Sequence, residues 1–122
     1  MKDFRQLKVW EKAHRLTLAV YAATAKFPAD ERYGITSQTR RCSASIAANI
    51  AEGCGRTNDG DFCRFLDNAM GSANELDYHL LLAKDLALLD PRKYTELREM
   101  ILEVKRMLST LIRKVQDDRR SQ

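Results

Sequence analysis

The strongest constraint on the fold comes from the C-terminal third of the chain, where apolar residues recur at alternating steps of three and four. The run consists of Tyr94, Leu97, Ile101, Val104, Leu108, Leu111 and Val115. This spacing places all of these side chains on one face of an α-helix and predicts a helix over residues 91–117. Asp90 and Pro91 support its start, because these residue types favour the N-cap and the first helical turn.

Three preceding segments carry helical patterns as well. The first is predicted over residues 7–27 and ends before Pro28, since a residue that precedes proline avoids the helical conformation. The second is predicted over residues 36–52 and is ended by Gly53. Near-heptad spacing of apolar and small residues predicts the third over residues 61–88.

The scarcity of helix breakers indicates how these segments pack. With 2 prolines and 5 glycines in 122 residues, the sequence favours long helices joined by short connections. No segment shows a β-strand pattern or an internal repeat. We therefore predict an all-α fold with one domain over residues 1–122, arranged as an antiparallel up-down-up-down four-helix bundle.

Composition excludes several classes of protein. A chain of 122 residues leaves no room for a second catalytic domain. No stretch approaches the roughly 18 apolar residues of a membrane span, so we expect no membrane contact. Cys42, Cys54 and Cys63 are odd in number and form no C-x-x-C pair, which favours reduced thiols and a cytoplasmic location. The net charge of +4 permits a polyanionic partner without identifying it.

The second predicted helix is poor in charge. Arg40, Arg41 and Glu52 are the only charged residues between positions 36 and 52, and the other faces carry isoleucine, alanine and small polar side chains. A helix in so small a protein that offers so few ionic groups to water is expected to be covered on more than one side. The pattern therefore predicts contacts between copies of the chain.

Polar residues of the second and third helices are predicted to face each other. An antiparallel pairing of the two helices brings Arg41 near Ser72 and Glu75, where an ion pair between Arg41 and Glu75 is plausible. We interpret the set as a structural polar network, with a ligand-binding groove as the alternative. The network consists of Gln38, Arg41, Asn49, Glu52, Ser72 and Glu75.

No arrangement of residues predicts catalysis. Glu11 and His14 have the spacing of one E-x-x-H pair of a di-iron bundle, but the second pair is missing because Glu75 and His79 are four residues apart. Cys42 shares one face of the second predicted helix with Ile46 and Ile50, and it is interpreted as a small core residue. We expect no catalytic residue, no metal and no cofactor.

Basic residues cluster on the fourth predicted helix. A solvated face with intrahelical ion pairs, such as Glu99 or Glu103 with Arg106, is one interpretation. The other is contact with the phosphates of a nucleic acid, because closely spaced cations release its counterions. The candidate phosphate-binding residues are Arg98, Lys105, Arg106, Arg113 and Lys114, with Arg40 and Arg56 as additions.

Several motifs resemble one known family of four-helix bundles. They are Phe4-x-x-Leu7-x-Val9-Trp10, Phe27-Pro28-x-x-Glu31-x-Tyr33-Gly34, Ser37-Gln38-x-Arg40-Arg41, Ser45-Ile46-x-x-Asn49-Ile50-Ala51-Glu52-Gly53-x-Gly55-Arg56, Phe65-Leu66 and Gly71-Ser72-x-x-Glu75-Leu76. The chain resembles, over residues 4–115, proteins encoded within intervening sequences of bacterial large-subunit ribosomal RNA. That family is similar in structure to the accessory variability proteins of diversity-generating retroelements.

The resemblance implies a homopentamer without known enzymatic activity. For the retroelement relatives it implies a positively charged barrel that binds nucleic acid and a reverse transcriptase. Together with the basic fourth helix, it leads to the hypothesis of a non-enzymatic, cytoplasmic homo-oligomer that binds RNA or DNA. The alternative is a protein-interaction scaffold that docks a reverse transcriptase or another partner.

Overall fold

The structure is a computed structural model that describes residues 2–121. Within this range it contains four α-helices and no β-strand, which confirms the predicted all-α fold. The helices are α1 (Lys8–Thr24), α2 (Ser37–Cys54), α3 (Asp59–Asp85) and α4 (Pro91–Arg120). None of the helices within residues 2–121 combines the length and the apolar composition required to cross a membrane.

The helix ends differ from the predicted ones by a few residues, for local reasons. α3 begins at Asp59, two residues early, because the Asn58 side chain accepts a hydrogen bond from the Asp61 backbone N–H and caps the helix. It ends at Asp85 rather than at residue 88, since Ala87 adopts a left-handed φ of 60°. The Leu88 N–H then bonds the Ala83 carbonyl and closes the helix end.

The C-terminal ends of α1, α2 and α4 also differ from the predicted ones by two or three residues. α1 stops at Thr24, three residues short of the prediction, where the Phe27 N–H turns back to the Thr24 carbonyl. α2 continues through Gly53 to Cys54, because helical glycine is disfavoured but tolerated where close packing requires it. α4 extends to Arg120.

The core is a single cluster to which all four helices contribute. α1 packs on α2 and α4, and α3 packs on the same two helices. The apolar run that predicted α4 is buried at five of its seven positions, whereas Tyr94 and Leu111 are partly buried. Its five buried members are Leu97, Ile101, Val104, Leu108 and Val115.

Contacts between neighbouring helices have a consistent order along the chain. Between α1 and α2, Thr17 bonds the Ser43 carbonyl while the later Thr24 accepts from the earlier Arg40. Between α2 and α3, Ser45 meets Ser72, whereas Cys42, which precedes Ser45, meets His79, which follows Ser72. Contacts therefore move forward along one helix as they move backward along its neighbour.

Candidate functional site

Six cationic side chains of α4 form no ion pair among the described residues: Arg92, Lys105, Arg106, Arg113, Lys114 and Arg119. Four of them are among the predicted phosphate-binding residues. Arg106, Arg113 and Lys114 are exposed and Lys105 is half-buried. The intrahelical pairs that a solvated face would use are not formed with Arg106, and Glu103 instead pairs with Lys12 of α1, 3.2 Å away. These four side chains, which we call the α4 cations, therefore remain available to an anionic partner.

Arg98 and Arg56 are held more firmly than the sequence indicated. The Arg98 Nε lies 3.6 Å from a carboxylate oxygen of Asp77 on α3. The Arg56 guanidinium bonds Glu52 at 2.7 Å and stacks on the Phe65 ring, 4.6 Å from its centroid. Each of these two guanidinium groups therefore has a carboxylate partner within the subunit, unlike the α4 cations.

Arg40 has a structural position between α1 and α2. Its Nε donates to the Thr24 hydroxyl at 2.8 Å, and its Nη2 donates to the Tyr21 carbonyl at 3.2 Å. The guanidinium also lies over the Tyr21 ring, 4.6 Å from the centroid. Since its Nε, its Nη2 and one face of its guanidinium are engaged within the subunit, Arg40 is a poor candidate for phosphate contact.

Lys8 of α1 lies beside the α4 cations, although no pattern in the sequence indicated it. An apolar groove of about 420 Å³ runs between the start of α1 and the second half of α4. Lys8, Arg106 and Lys114 are among the residues that line this groove. Pairing the start of the first helix with the end of the fourth would have identified Lys8 from the sequence.

A second cavity of about 650 Å³ lies where α2 faces α3 and is lined mainly by polar side chains. Ser72 donates a hydrogen bond to the Ser45 hydroxyl at 2.9 Å across the two helices. Asn49 donates to the Ser45 carbonyl at 2.8 Å and to its hydroxyl at 2.9 Å. Ser45 is therefore the centre through which Asn49 and Ser72 of the predicted network are connected.

The remaining members of the predicted network do not join it directly. Gln38, Arg41 and Glu75 line the cavity, but no ion pair forms between Arg41 and Glu75 among the described residues. Glu52 points to Arg56 instead. The predicted ion pair between Arg41 and Glu75 is therefore wrong. Both side chains border an open cavity, where water screens the attraction between their charges.

Cys42, which lines this polar cavity, contacts the buried His79 of α3. The Cys42 Sγ lies 3.4 Å from the His79 Nδ1, and a Glu75 carboxylate oxygen lies within 4.8 Å of both atoms. Burial and, secondarily, the charge of Glu75 raise the pKa of Cys42 to about 12. A thiol that stays protonated at neutral pH is a weak nucleophile, so the free pair is not that of a cysteine hydrolase.

The other candidates from the sequence occupy ordinary positions. Burial also raises the pKa of Cys54 and of Cys63, and neither thiol is in a disulfide. Glu11 is exposed and bonds Arg15 at 2.9 Å, while the exposed His14 ring stacks on Trp10. The spacing of Glu11 and His14 therefore belongs to the outer surface of α1.

Comparison with known families decides the classification. The family model for 23S rRNA-intervening sequence proteins matches residues 5–110. The chain belongs to this family. The resemblance inferred from the motifs is thereby confirmed, and the matched range contains the polar cavity, Lys8 and Arg106. In this intervening-sequence protein, Arg113 and Lys114 lie beyond the matched range.

A solved structure supports the fold of the intervening-sequence protein. It is a crystal structure of a protein with unknown function from the S23 ribosomal protein family of Bacteroides thetaiotaomicron VPI-5482. The two share 23% sequence identity with a TM-score of 0.81, over 86% of this chain and 95% of the other. Comparison with curated proteins gave no match.

Proposed function

We propose that this protein is a non-enzymatic homo-oligomer that binds RNA or DNA through its basic surfaces. The observation that carries the proposal is the set of α4 cations without ion-pair partners, which Lys8 of α1 extends across the apolar groove. Clustered, unpaired cations on a rigid helix attract phosphates and release counterions on binding. Membership of the 23S rRNA-intervening sequence family is consistent with a ribonucleoprotein setting.

The proposed architecture is the antiparallel up-down-up-down bundle. The opposite order of contacts along α1 and α2, and along α2 and α3, supports it. The ion pair from Lys12 to Glu103 fits α1 against α4 in the same sense. In this arrangement the start of α1 lies beside the end of α4, which explains why Lys8 and Lys114 border one groove.

Exposed apolar residues support the proposal that several subunits assemble. On α1, Leu18 is 57% exposed and Tyr21 is 43% exposed, and the exposed Ala22 and Ala25 continue the same helical face. On α2, Ala48 is exposed as well. Assembly would remove these surfaces from water and place several sets of α4 cations on one particle. We propose five copies, following the resemblance, and a cytoplasmic location.

The proposal is tested by gel shifts of purified protein with a short RNA duplex and with single-stranded DNA, at rising salt. We expect binding at low salt that weakens steeply as salt rises, because each phosphate contact adds about 0.7–0.9 to the slope of log affinity against log salt. Absence of binding at low salt, or a flat dependence on salt, would contradict the proposal.

Charge-reversal variants of the α4 cations test whether these residues form the surface that binds nucleic acid. The Arg106→Glu, Arg113→Glu double variant should bind every sequence more weakly, with a salt slope smaller by about 1 for each lost contact. The matched control is Arg15→Glu with Lys93→Glu, because both of these cations are exposed and already paired with a glutamate. Equal losses in the two double variants would mean that net charge, rather than the α4 face, determines binding.

A further inference from the structure

Three side chains with metal-binding atoms converge where α2 meets α3. Glu75 and His79 are four residues apart on α3 and therefore lie on the same side of that helix. Cys42 comes from α2, and its Sγ is 3.4 Å from the His79 Nδ1. The sulfur, the imidazole nitrogen and a Glu75 carboxylate oxygen all lie within 4.8 Å of one another.

We propose that Cys42, Glu75 and His79 form a zinc(II) site whose fourth coordination position opens into the polar cavity. This site goes beyond the proposed binding of nucleic acid and does not depend on it. The ligand set consists of one thiolate, one imidazole and one carboxylate, which are the three ligand types that zinc accepts. Three protein ligands and one open position are the arrangement found where zinc keeps a bound water.

The distances fit a tetrahedral ion. Zinc lies about 2.3 Å from a thiolate sulfur and about 2.0 Å from an imidazole nitrogen, so the two ligand atoms of a tetrahedron are about 3.5 Å apart. The observed separation of Cys42 Sγ and His79 Nδ1 is 3.4 Å. A Glu75 carboxylate oxygen lies within 4.8 Å of the other two ligand atoms, so this exposed side chain has to come closer to complete the triangle, and it borders the cavity.

The surroundings hold the two helices at this spacing. Cys42 and His79 are 5% and 8% exposed, so their side chains have little freedom to move apart. The Ser72 hydroxyl bonds the Ser45 hydroxyl at 2.9 Å, about one turn from Cys42 on α2 and about one turn from Glu75 on α3. A site held by packing loses little entropy when the ion binds.

The charges also balance when the ion binds. Zinc displaces the thiol proton of Cys42, which is released to solvent, and no electron is transferred. One thiolate and one carboxylate then neutralise the dication. Arg41, which lines the same cavity, therefore does not face a centre of net positive charge.

The experiment measures zinc and cobalt(II) binding to the full-length protein. Purified protein is expected to carry about one zinc per chain by elemental analysis. After the metal is removed with a chelator, cobalt(II) should give tetrahedral d–d bands and a thiolate-to-cobalt charge-transfer band in the near ultraviolet. A cobalt spectrum of the octahedral hydrated ion, unchanged by the protein, would overturn the proposal.

Substitution of each proposed zinc ligand tests whether that residue binds the ion. Cys42→Ser should abolish the charge-transfer band, whereas the matched Cys63→Ser should retain it. Glu75→Gln and His79→Gln should weaken zinc binding more than about 100-fold, since loss of an outer-shell partner alone costs about 10- to 100-fold. Because Glu75 is exposed, its variant tests the site even if substitution of a buried ligand unfolds the chain. A band that persists in Cys42→Ser, or zinc binding unaffected in Glu75→Gln, would refute the assignment.

Discussion

At the scale of single residues, the function of an arginine depends on whether its guanidinium already has hydrogen-bond partners within the subunit. Arg40 was a candidate phosphate ligand, but its guanidinium bonds Thr24 and Tyr21 of α1. The Thr24 hydroxyl is buried and itself donates to the Val20 carbonyl at 2.8 Å. Arg40 therefore completes a hydrogen-bonded connection between α1 and α2.

Substitution of Arg40 should lower stability without changing binding of nucleic acid. Arg40→Ala is expected to lower the free energy of unfolding by about 1–2 kcal/mol, because two hydrogen bonds from a charged donor are lost. Arg40→Lys keeps the charge but not the fork of donors, so it should be destabilised to a similar degree. Urea denaturation and gel shifts check both variants, and a large loss of binding by stable protein would restore Arg40 as a ligand.

The backbone conformation of Ala87 leads to a prediction about the stability of the chain. It has a φ of 60°, a region that costs an alanine about 1–2 kcal/mol and a glycine almost nothing. Ala87→Gly should therefore raise the free energy of unfolding by about 0.5–1 kcal/mol, after the greater freedom of glycine in the unfolded chain is included. Asn74→Gly, at an exposed position within α3, is the control and should lower it by a few tenths of a kcal/mol. Urea denaturation that gives both variants the same sign would contradict this explanation.

At the scale of helices, the approach of α2 to α3 is set by a glycine. A Cβ atom at Gly53 would lie 2.9 Å from the Phe62 ring and 3.0 Å from the Phe65 Cβ. The absence of a side chain is therefore what lets the two helices come this close next to their connection. Gly71, by contrast, has nothing within 4 Å of the corresponding position.

The two glycines should respond oppositely to alanine. Gly53→Ala is expected to lower the free energy of unfolding by about 1–2 kcal/mol, because overpacking outweighs the gain in helix propensity. Gly71→Ala should raise it by about 0.5–1 kcal/mol, since it gains propensity without a clash. Thermal or urea unfolding measures both, and stabilisation by Gly53→Ala would show that α3 moves away from α2 easily.

At the scale of the whole molecule, the exposed small and apolar residues of α1 and α2 are the surface that assembly would bury. Ala48 is exposed on α2 and Leu18 is 57% exposed on α1. Neither contributes to the buried core of the subunit. A substitution there can therefore affect assembly while it leaves the fold of the subunit intact.

Ala48→Glu should dissociate the oligomer, because the carboxylate would be buried without a partner between subunits. Light scattering should give a multiple of the subunit mass for the natural protein and one subunit for the variant, with unchanged helical circular dichroism. Thr95→Glu is the control, since it adds the same group at an exposed position of α4. A natural protein that is monomeric would contradict the proposed assembly, and an Ala48→Glu oligomer would exclude this face as the interface.

The helices and all four α4 cations could be predicted from the sequence alone. The spacing of Leu97, Ile101 and Leu108 identifies the buried face of α4, because periodicity along one helix is a local property that the order of residues records directly. The outward position of Arg106 and Arg113 follows from the same geometry. The helix ends differ from the predicted ones because single residues, such as Ala87 with its left-handed φ, decide where a helix stops.

Only the tertiary structure decided which side chains meet across helices. The contact of Cys42 with His79, the position of Lys8 beside the end of α4 and the hydrogen bonds of Arg40 to α1 all depend on the register between helices. Spacing within one helix cannot set that register, because a shift of a single turn changes every partner while the apolar stripes remain in contact. Close packing at Gly53 and the hydrogen bond between Ser45 and Ser72 fix it for α2 and α3.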